Sequence, residues 1–419
     1  MTTWAIAMFW ILLGLAVGQA VLAWRFARVL KHSSPQSAGG DFCPKTAVIL
    51  CLRGPDPFLP ACLKAVLSQD YPEYDLHIVV DSREDPAWAI AEQTLAALDA
   101  RNVRMRPLAA PGTMCSLKCS SLLQAISELD DSYEVIALLD ADTIVHRTWL
   151  SELVAPLAKE HVAAATGNRW YVPNAPSWGS LVRRLWNAAA VVQMYCFRIP
   201  WGGTLAIKLE VLRRSDLLKR WGNALCEDTM LYAVLKPMGY RVAFVPSLMM
   251  VNREECNVGS FYRWVRRQLL TARLYHPAWA LVVGHGLATG IAQSAGLATL
   301  GAAAFLGNGQ AIAWIAAGMG LYWLLMIALL AAIESGVRHS TKSRGESLPG
   351  MGVADILRTL AAMAMTQGVY AAALVSATFL RIVDWRGIQY RIERPAKIRM
   401  IEYKPYADTS ESTCSRESL

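Results

Sequence analysis

The most constraining feature of the sequence is a run without a charge, "WAIAMFWILLGLAVGQAVLAW", from Trp4 to Trp24. As a helix it is long enough to cross the hydrocarbon core of a bilayer. Trp stands at both ends, where amphipathic rings settle at the membrane–water interface. Arg25, Arg28 and Lys31 follow at once, so the downstream side is expected to be cytoplasmic. A cleaved signal peptide would carry its basic residues before a shorter apolar core, so an uncleaved anchor is the expectation.

Composition agrees with one soluble domain joined to membrane segments. Of 419 residues 54% are apolar, which is high for a soluble enzyme and low for an all-membrane transporter. The net charge of +8 gathers near the apolar segments and in the tail. No basic stripe interleaves with aromatics, so the surplus reads as membrane flanks and no nucleic-acid partner is expected. The nine cysteines are odd in number and form no CxxC. Cys115 and Cys119 stand four apart without a pair to complete a zinc site, so reduced thiols facing a cytosol are expected.

The chain divides by texture. After an anchor over residues 1–24, residues 25–44, with "HSSPQSAGGD", read as a linker. Residues 45–277 alternate buried strands ("TAVILCL", "LHIVV", "EVIALL") with helices ("PACLKAVLSQDYP", "AWAIAEQTLAAL", "CSSLLQAISEL"), which predicts an α/β domain on a mostly parallel, doubly wound sheet. Residues 278–380 hold three more apolar segments, the first two joined by the tight turn "GNGQ". Gly286 and Gly290 form a GxxxG suited to close helix packing, or reflect composition alone. Residues 381–419 are a basic tail. Charge and span count conflict: three simple spans put this tail opposite the catalytic domain, whereas its arginines favour the cytoplasmic side. A re-entrant or interfacial segment would reconcile the two.

Ligands of open parallel sheets bind beyond the carboxyl ends of strands, and Asp81 and Asp140 both follow apolar strands. A turn or capping role would suit Asp81 alone equally well. Asp140 and Asp142 in "LLDAD" are two carboxylates one residue apart. On an extended backbone they point the same way, and a Mg²⁺ or Mn²⁺ ion shared with a diphosphate would relieve their repulsion. An ordinary turn after a strand is the bland alternative. Lys118 at a helix start suits phosphate or plain solvent. Trp201, Gly202 and Gly203 precede a strand-like run, where glycine allows close approach to a ligand or makes a tight turn. Glu227 and Asp228 precede a helix as N-terminal charge complements or as a general base. "FYRWVRRQLLTARLYHP" is basic and amphipathic, suited to lipid head groups or to a leaving diphosphate. "SWGSLVRRLWNAAAVVQMYCF" suits a membrane surface or a buried structural helix.

Taken in order, "LRGPDPFLPACLKAVLSQDYPEYDLHIVVDSREDPAW", the DxD, "WGGTLAI", "CEDT" and "RRQLLTAR" resemble the motifs of family 2 glycosyltransferases, nearest to the ceramide glucosyltransferase-like membrane enzymes. The resemblance spans Lys45 to Pro277, with similar membrane segments on either side, and "DWRGIQYRI" in the tail is similar to a segment of the lipid-glycosylating group. It implies a nucleotide-sugar-binding, Rossmann-like GT-A fold in a cytoplasm-facing membrane such as a cell inner membrane. It also implies inverting, metal-dependent transfer from a UDP-sugar, glucose foremost, to a lipid hydroxyl such as that of ceramide, diacylglycerol or a hopanoid. By it Asp81 contacts the nucleotide, Asp140 and Asp142 hold ribose, Mn²⁺ or Mg²⁺ and diphosphate, and Asp228 is the base with Glu227 beside it. Lys118, Gln268 and Arg267 face the donor, and Trp201, Gly202 and Gly203 the sugar and acceptor. The family's Q-x-x-R-W begins at Gln268 but then departs: Thr271 replaces Arg and Ala272 replaces Trp. Arg266, Arg267 or Arg273 is expected to supply the missing cation. Two other readings are a processive polysaccharide synthase, disfavoured by the broken motif and few spans, and a non-catalytic scaffold or transporter. For a transporter only His285 and Arg358 offer ionisable groups in the apolar segments.

Overall fold

The structure is a computed structural model that describes residues 1–32, 42–174, 177–342, 344–350, 353–394 and 396–406. Residues 33–41 of the expected linker and residues 407–419 of the tail lie outside the described residues. Helix α1 (Thr2–His32) carries the charge-free run and continues through Arg25, Arg28 and Lys31. The α/β layer follows as β1 (Thr46–Leu52), α2 (Leu59–Val66), β2 (Tyr74–Val80), α3 (Pro86–Ala97), β3 (Val103–Pro107), α4 (Leu117–Ser127), β4 (Val135–Leu139), α5 (Trp149–Val154), β5 (Val162–Tyr171), α6 (Trp178–Phe197) and β6 (Thr204–Lys208). Three short helices, α7 (Leu209–Arg214), α8 (Leu217–Trp221) and α9 (Leu231–Leu235), lead to β7 (Arg241–Asn252) and α10 (Val258–Tyr275). The long helices α11 (Trp279–Phe305), α12 (Gly309–Lys342) and α13 (Val353–Phe379) come next. The strands β8 (Ile382–Trp385), β9 (Ile388–Arg394) and β10 (Lys397–Glu402) close the chain.

Seven strands form one sheet in the order β3-β2-β1-β4-β6-β5-β7. Four neighbouring pairs are parallel, and β6 runs antiparallel to β4 and β5. The central strands β1 and β4 are covered on both faces, which is why they read as unbroken apolar runs rather than alternating ones. The edge strand β3 alternates instead and turns Arg104 and Arg106 outward, which blunts the edge. The chain winds from β1 outward to β3 and then crosses back to β4. The carboxyl ends of β1 and β4 therefore flank the switch point where such sheets bind ligands.

Four helices are long and apolar enough to cross a membrane by length and composition: α1, α11, α12 and residues 355–379 of α13. Helices α1 and α12 pack closely because α12 offers glycine at the contacts. A Cβ on Gly318 would sit 3.1 Å from the Phe9 backbone, and one on Gly336 would sit 2.9 Å from Leu30. The GxxxG works only in half: a Cβ on Gly286 would strike Leu374 and Tyr370 of α13, whereas Gly290 has nothing within 4 Å.

Helix α13 answers the conflict between charge and span count. Its apolar face shares a core with α6 and α10, through Ala362, Leu374 and Ala377 against Val182, Phe261 and Val265. Just before it, Arg344 donates to the carbonyls of Ser247 and Met249 on β7, and Arg338 donates to Leu348 and Pro349. Just after it, Arg273 of α10 donates to the carbonyls of Ala377, Thr378 and Leu380 at 2.5–2.8 Å. Both ends of α13 are thus fastened at the α/β layer, and the tail sheet β8–β10 packs into that layer's core through Val383, Ile388, Tyr390 and Ile398. The described part of the tail, residues 381–394 and 396–406, lies on the same side as the α/β layer.

Candidate functional site

Strand register assembles the floor of the site. Leu52 pairs with Val80, so Arg53 and Asp81 leave neighbouring strands side by side and form a buried ion pair. The hydroxyl of Tyr403, from the segment after β10, donates to the other Asp81 oxygen at 3.1 Å. Burial pushes the Asp81 carboxyl up, against the pull of Arg53. Leu50 pairs with Leu139, which brings Asp140 out one strand further along. Leu139 also pairs with Thr204 of the antiparallel β6, so the Trp201–Gly203 turn abuts the DxD. A Cβ on Gly202 would lie 2.0 Å from Glu227 Oε1, and one on Gly203 would lie 2.6 Å from Asp140 Oδ2. The close approach that demands glycine is to the protein's own side chains: to Glu227 at Gly202, and at Gly203 to the Trp201 ring, 2.2 Å from that Cβ, as well as to Asp140.

Lys118 bridges those carboxylates, with Nζ 2.7 Å from Asp140 Oδ1 and 2.8 Å from Glu227 Oε1. Burial opposes its charge, but the two partners outweigh burial and hold the ammonium firmly protonated. Burial, with Asp228 alongside, pushes the Glu227 carboxyl up against the pull of Lys118. Asp228 is held by neutral donors: Gly202 N–H reaches Oδ2 at 2.9 Å, and the Thr229 N–H and hydroxyl both reach Oδ1. Asp140 and Asp142 do not lie on extended backbone. Thr143 N–H donates to the Asp140 carbonyl at 3.1 Å, so the DAD forms a turn, yet both residues line the same cavity. The bland backbone reading and the shared carboxylate face hold together.

Two cavities meet here. The smaller, of about 170 Å³, lies at the strand ends and is lined by polar groups including Asp81, Lys118, Asp140, Asp142, Arg267 and Arg386. The larger, of about 680 Å³, is an apolar chamber between α1, α6, α10, α11, α12 and α13. Arg169, Trp201, Asp228, Gln268 and Thr271 line both. Helix α6 packs on α10 and α13 through Leu181 and Val182, and on α1 and α12 through Ala188 and Val191. Its Arg183 is fully buried on Glu254 at 2.7 Å, as in a buried structural helix, whereas Trp178 at its start is exposed. The break in Q-x-x-R-W now has a steric meaning, because Thr271 and Ala272 are small residues on the chamber wall. Of the arginines expected to replace the missing cation, Arg267 lines the polar strand-end cavity. Arg266 does not, and Arg273 is engaged with the end of α13.

The sequence profile of glycosyl transferase family 21 matches residues 6–398. The chain belongs to this family. It is a glycosyltransferase of the ceramide glucosyltransferase-like kind, as the motif resemblance implied. No curated protein matches the chain. Among solved structures, the mannosyltransferase PcManGT from Pyrobaculum calidifontis, in complex with GDP-Man and Mn²⁺, aligns with a TM-score of 0.51 at 18% identity, over 90% of this chain and 99% of that one. A glucosyl-3-phosphoglycerate synthase from Mycobacterium tuberculosis, with Mn²⁺, UDP and phosphoglyceric acid, aligns with a TM-score of 0.37 at 14% identity, over 54% and 77%. The mixed, mostly parallel sheet and the likeness to the mannosyltransferase bear out the expected GT-A-like α/β class, with four candidate membrane helices.

Among the described residues of this family 21 enzyme, no three His, Cys, Asp or Glu side chains converge as a self-sufficient metal site. The donor set instead fits an ion that takes two carboxylates and completes its shell from substrate and water. Asp142 supplies the observation: its oxygens meet only neutral partners, Thr143 Oγ1 and Asn252 Nδ2, each at 3.2 Å. Burial and the neighbouring Asp140, Glu254 and Asp56 push it up to about 7. Asp140 is held below the usual carboxylate range, because Lys118, Arg169 and Arg386 outweigh its burial. Sequence reasoning gave no site role to Arg53, Arg169 or Glu254, and quoted Trp385, Arg386 and Tyr390 only within the tail segment "DWRGIQYRI", without a role; all six line the polar strand-end cavity. The strand-end rule that found Asp81 would also have found Arg53, which directly follows β1. No local signal marks Arg169, two residues before the end of β5.

Proposed function

We propose that this family 21 glycosyltransferase moves a sugar, glucose foremost, from a UDP-sugar to the hydroxyl of a membrane lipid in one inverting displacement. One observation carries the reading: Asp228 stands where the polar strand-end cavity opens into the apolar chamber. The polar cavity suits a nucleotide sugar, with Asp81 toward the nucleoside and Gln268, Lys118 and Arg267 toward the diphosphate and sugar. The chamber suits acyl or isoprenoid chains, since its volume of about 680 Å³ is lined chiefly by apolar side chains of the long helices. A lipid of the ceramide, diacylglycerol or hopanoid type would keep its tail among those helices and present its hydroxyl at Asp228. Trp201, with Gly202 and Gly203, forms the wall between sugar and acceptor. One polar chain crosses the chamber: Tyr322 donates to Gln19 at 3.2 Å, and the two His285 ring nitrogens lie 3.1 Å and 3.3 Å from the Gln19 and Gln193 amides.

Asp228 takes the proton of the lipid hydroxyl as its oxygen attacks the anomeric carbon from the face opposite the diphosphate. Three neutral donors fix the orientation of the carboxylate. Glu227, buried against Lys118, acts by holding that cation in place rather than as a second base. A divalent ion, Mn²⁺ or Mg²⁺, on Asp140 and Asp142 would supply charge neutralisation of the departing diphosphate. The catalytic layer is read as cytoplasmic, where UDP-sugars are available, on the strength of Arg25, Arg28 and Lys31.

The test is expression in a host that lacks glycolipids, followed by lipid mass spectrometry. One hexose per lipid with β configuration is expected, and Asp228→Asn should remove it. A long glycan, or no glycosylated lipid under any acceptor supply, overturns the reading.

A further inference from the structure

The tail hairpin carries an arginine where hairpin chemistry disfavours it. Strands β8 and β9 are joined by two residues, Arg386 and Gly387, because Trp385 already pairs with Ile388. Both loop residues have positive φ, 50° and 78°, as the two-residue turn that matches strand twist requires. Asn-Gly is the favoured pair there, and a β-carbon at the first position is strained. The strain is held by anchoring from several sides. Asp384 accepts from Gly387 N–H at 3.2 Å, and Leu117 N–H at the start of α4 donates to the Tyr390 hydroxyl at 3.2 Å. Arg53 Nε donates to the Arg386 carbonyl at 3.0 Å, and the Arg386 guanidinium donates back to the Arg53 carbonyl. Arg273 pins the chain just before β8.

This anchoring sets the tip of the hairpin in the donor-side cavity, where Trp385, Arg386 and Tyr390 form part of the wall. Arg267 of α10 lies 5.0 Å above the Trp385 ring and lines the same cavity, as does Arg169. A second Arg386 nitrogen is 3.5 Å from Asp56, so its fork is oriented from the protein side. We propose that Arg386, delivered by the tail hairpin and paired with Arg267, is a catalytic residue that binds the donor's diphosphate and stabilises UDP as it leaves. In the step, the bond from the anomeric carbon to the diphosphate oxygen breaks and its electron pair stays on UDP. The lipid oxygen bonds to that carbon, and its proton passes to Asp228. The negative charge that grows on the diphosphate lies against a planar, two-pronged cation. Three mutually repelling guanidiniums in a half-buried cavity favour a polyanion among them. Arg267 is accordingly drawn down to about 10, by burial first and then by Arg386 and Arg169. The broken Q-x-x-R-W fits the same picture: Thr271 leaves α10 without the motif's cation, and Arg273 serves as the clamp that holds the replacement.

The inference rests on the UDP-sugar reading. Arg386→Asn is the decisive variant because it installs the residue this turn prefers while removing the charge. In the full-length protein in nanodiscs, binding of UDP and of uridine is measured by calorimetry, together with transfer to lipid. Arg386→Asn should keep the wild-type melting temperature and uridine affinity, weaken UDP at least about tenfold, and lower kcat about 10²–10³-fold, the range for losing one charge-stabilising donor. Guanidinium chloride should restore part of the rate to Arg386→Gly. Wild-type UDP affinity and turnover in Arg386→Asn overturn the assignment and leave the donor reading intact. A wild-type protein that binds neither UDP nor any nucleotide sugar overturns both.

Discussion

Adding one methyl group at Gly202 should disable the enzyme, and in a protein that already lacks the Glu227 side chain the same methyl should cost nothing further. A Cβ there would lie 2.0 Å from Glu227 Oε1, 3.1 Å from its Cδ and 3.3 Å from Lys118 Nζ, inside ordinary contact distances of about 3.5 Å. Glu227 is almost fully buried, so its carboxylate can yield only by leaving Lys118, 2.8 Å away. The alternative is for the Gly202 backbone to retreat, which breaks the 2.9 Å bond from its N–H to Asp228. Overpacking costs about 1–3 kcal/mol, and a lost hydrogen bond to a charged group costs about 1.5–3 kcal/mol. Gly202→Ala should therefore cost about 3 kcal/mol, which is about two orders of magnitude in kcat/KM at 1.36 kcal/mol per tenfold. Glu227→Ala is impaired in its own right but removes the atoms struck by the new methyl. The double variant should be no worse than Glu227→Ala alone, which gives a coupling of about 3 kcal/mol in a double-mutant cycle. The assay is transfer of radiolabelled sugar to lipid, with thermal unfolding of all four proteins alongside. Additive losses in the double variant would refute the steric account of the glycine.

Asp142→Asn should abolish metal-dependent donor binding while leaving the melting temperature unchanged; Mn²⁺-dependent UDP affinity equal to wild type counts against the metal role. Asp228→Asn should bind UDP normally yet transfer no sugar, and loss of both functions together would mark the residue as structural. Ala272→Trp restores the motif's aromatic but fills the chamber wall, so acceptor KM should rise at least about tenfold with UDP affinity untouched; an unchanged acceptor KM would argue against lipid in the chamber. His285→Leu breaks the polar chain among the long helices and should shift the preference among lipid acceptors, read by competition between amide-bearing and ester-bearing lipids.

Much of the site was legible because it follows from local rules. Asp81 and Asp140 are the first residues past buried strands, and parallel pairing brings such residues to one edge. The Gly pair was legible as a point of close approach, though its neighbours proved to be the protein's own side chains rather than ligand. Lys118 reads as a phosphate ligand from its helix-start position, but only the fold reveals the two carboxylates that claim it. The strand rule failed at Asp142, where the chain had already turned. Arg169, Arg386 and Tyr403 were illegible for one physical reason: their place depends on how distant segments return to the sheet, and no spacing encodes that. The course of α13 was hidden in the same way. Its length and hydropathy match a span, while the arginines that fasten both its ends act through backbone carbonyls, which leave no trace in sequence.

The tail sheet packs against the first strands of the α/β layer, and Arg53 donates to the carbonyls of both Arg386 and Lys404. A ribosome emits Arg53 early and Arg386 after every apolar helix. The wall of the polar cavity therefore closes only after the four long apolar helices have been made. On the proposed function, a copy without the tail sheet would be inert, so activity would report that the tail has docked.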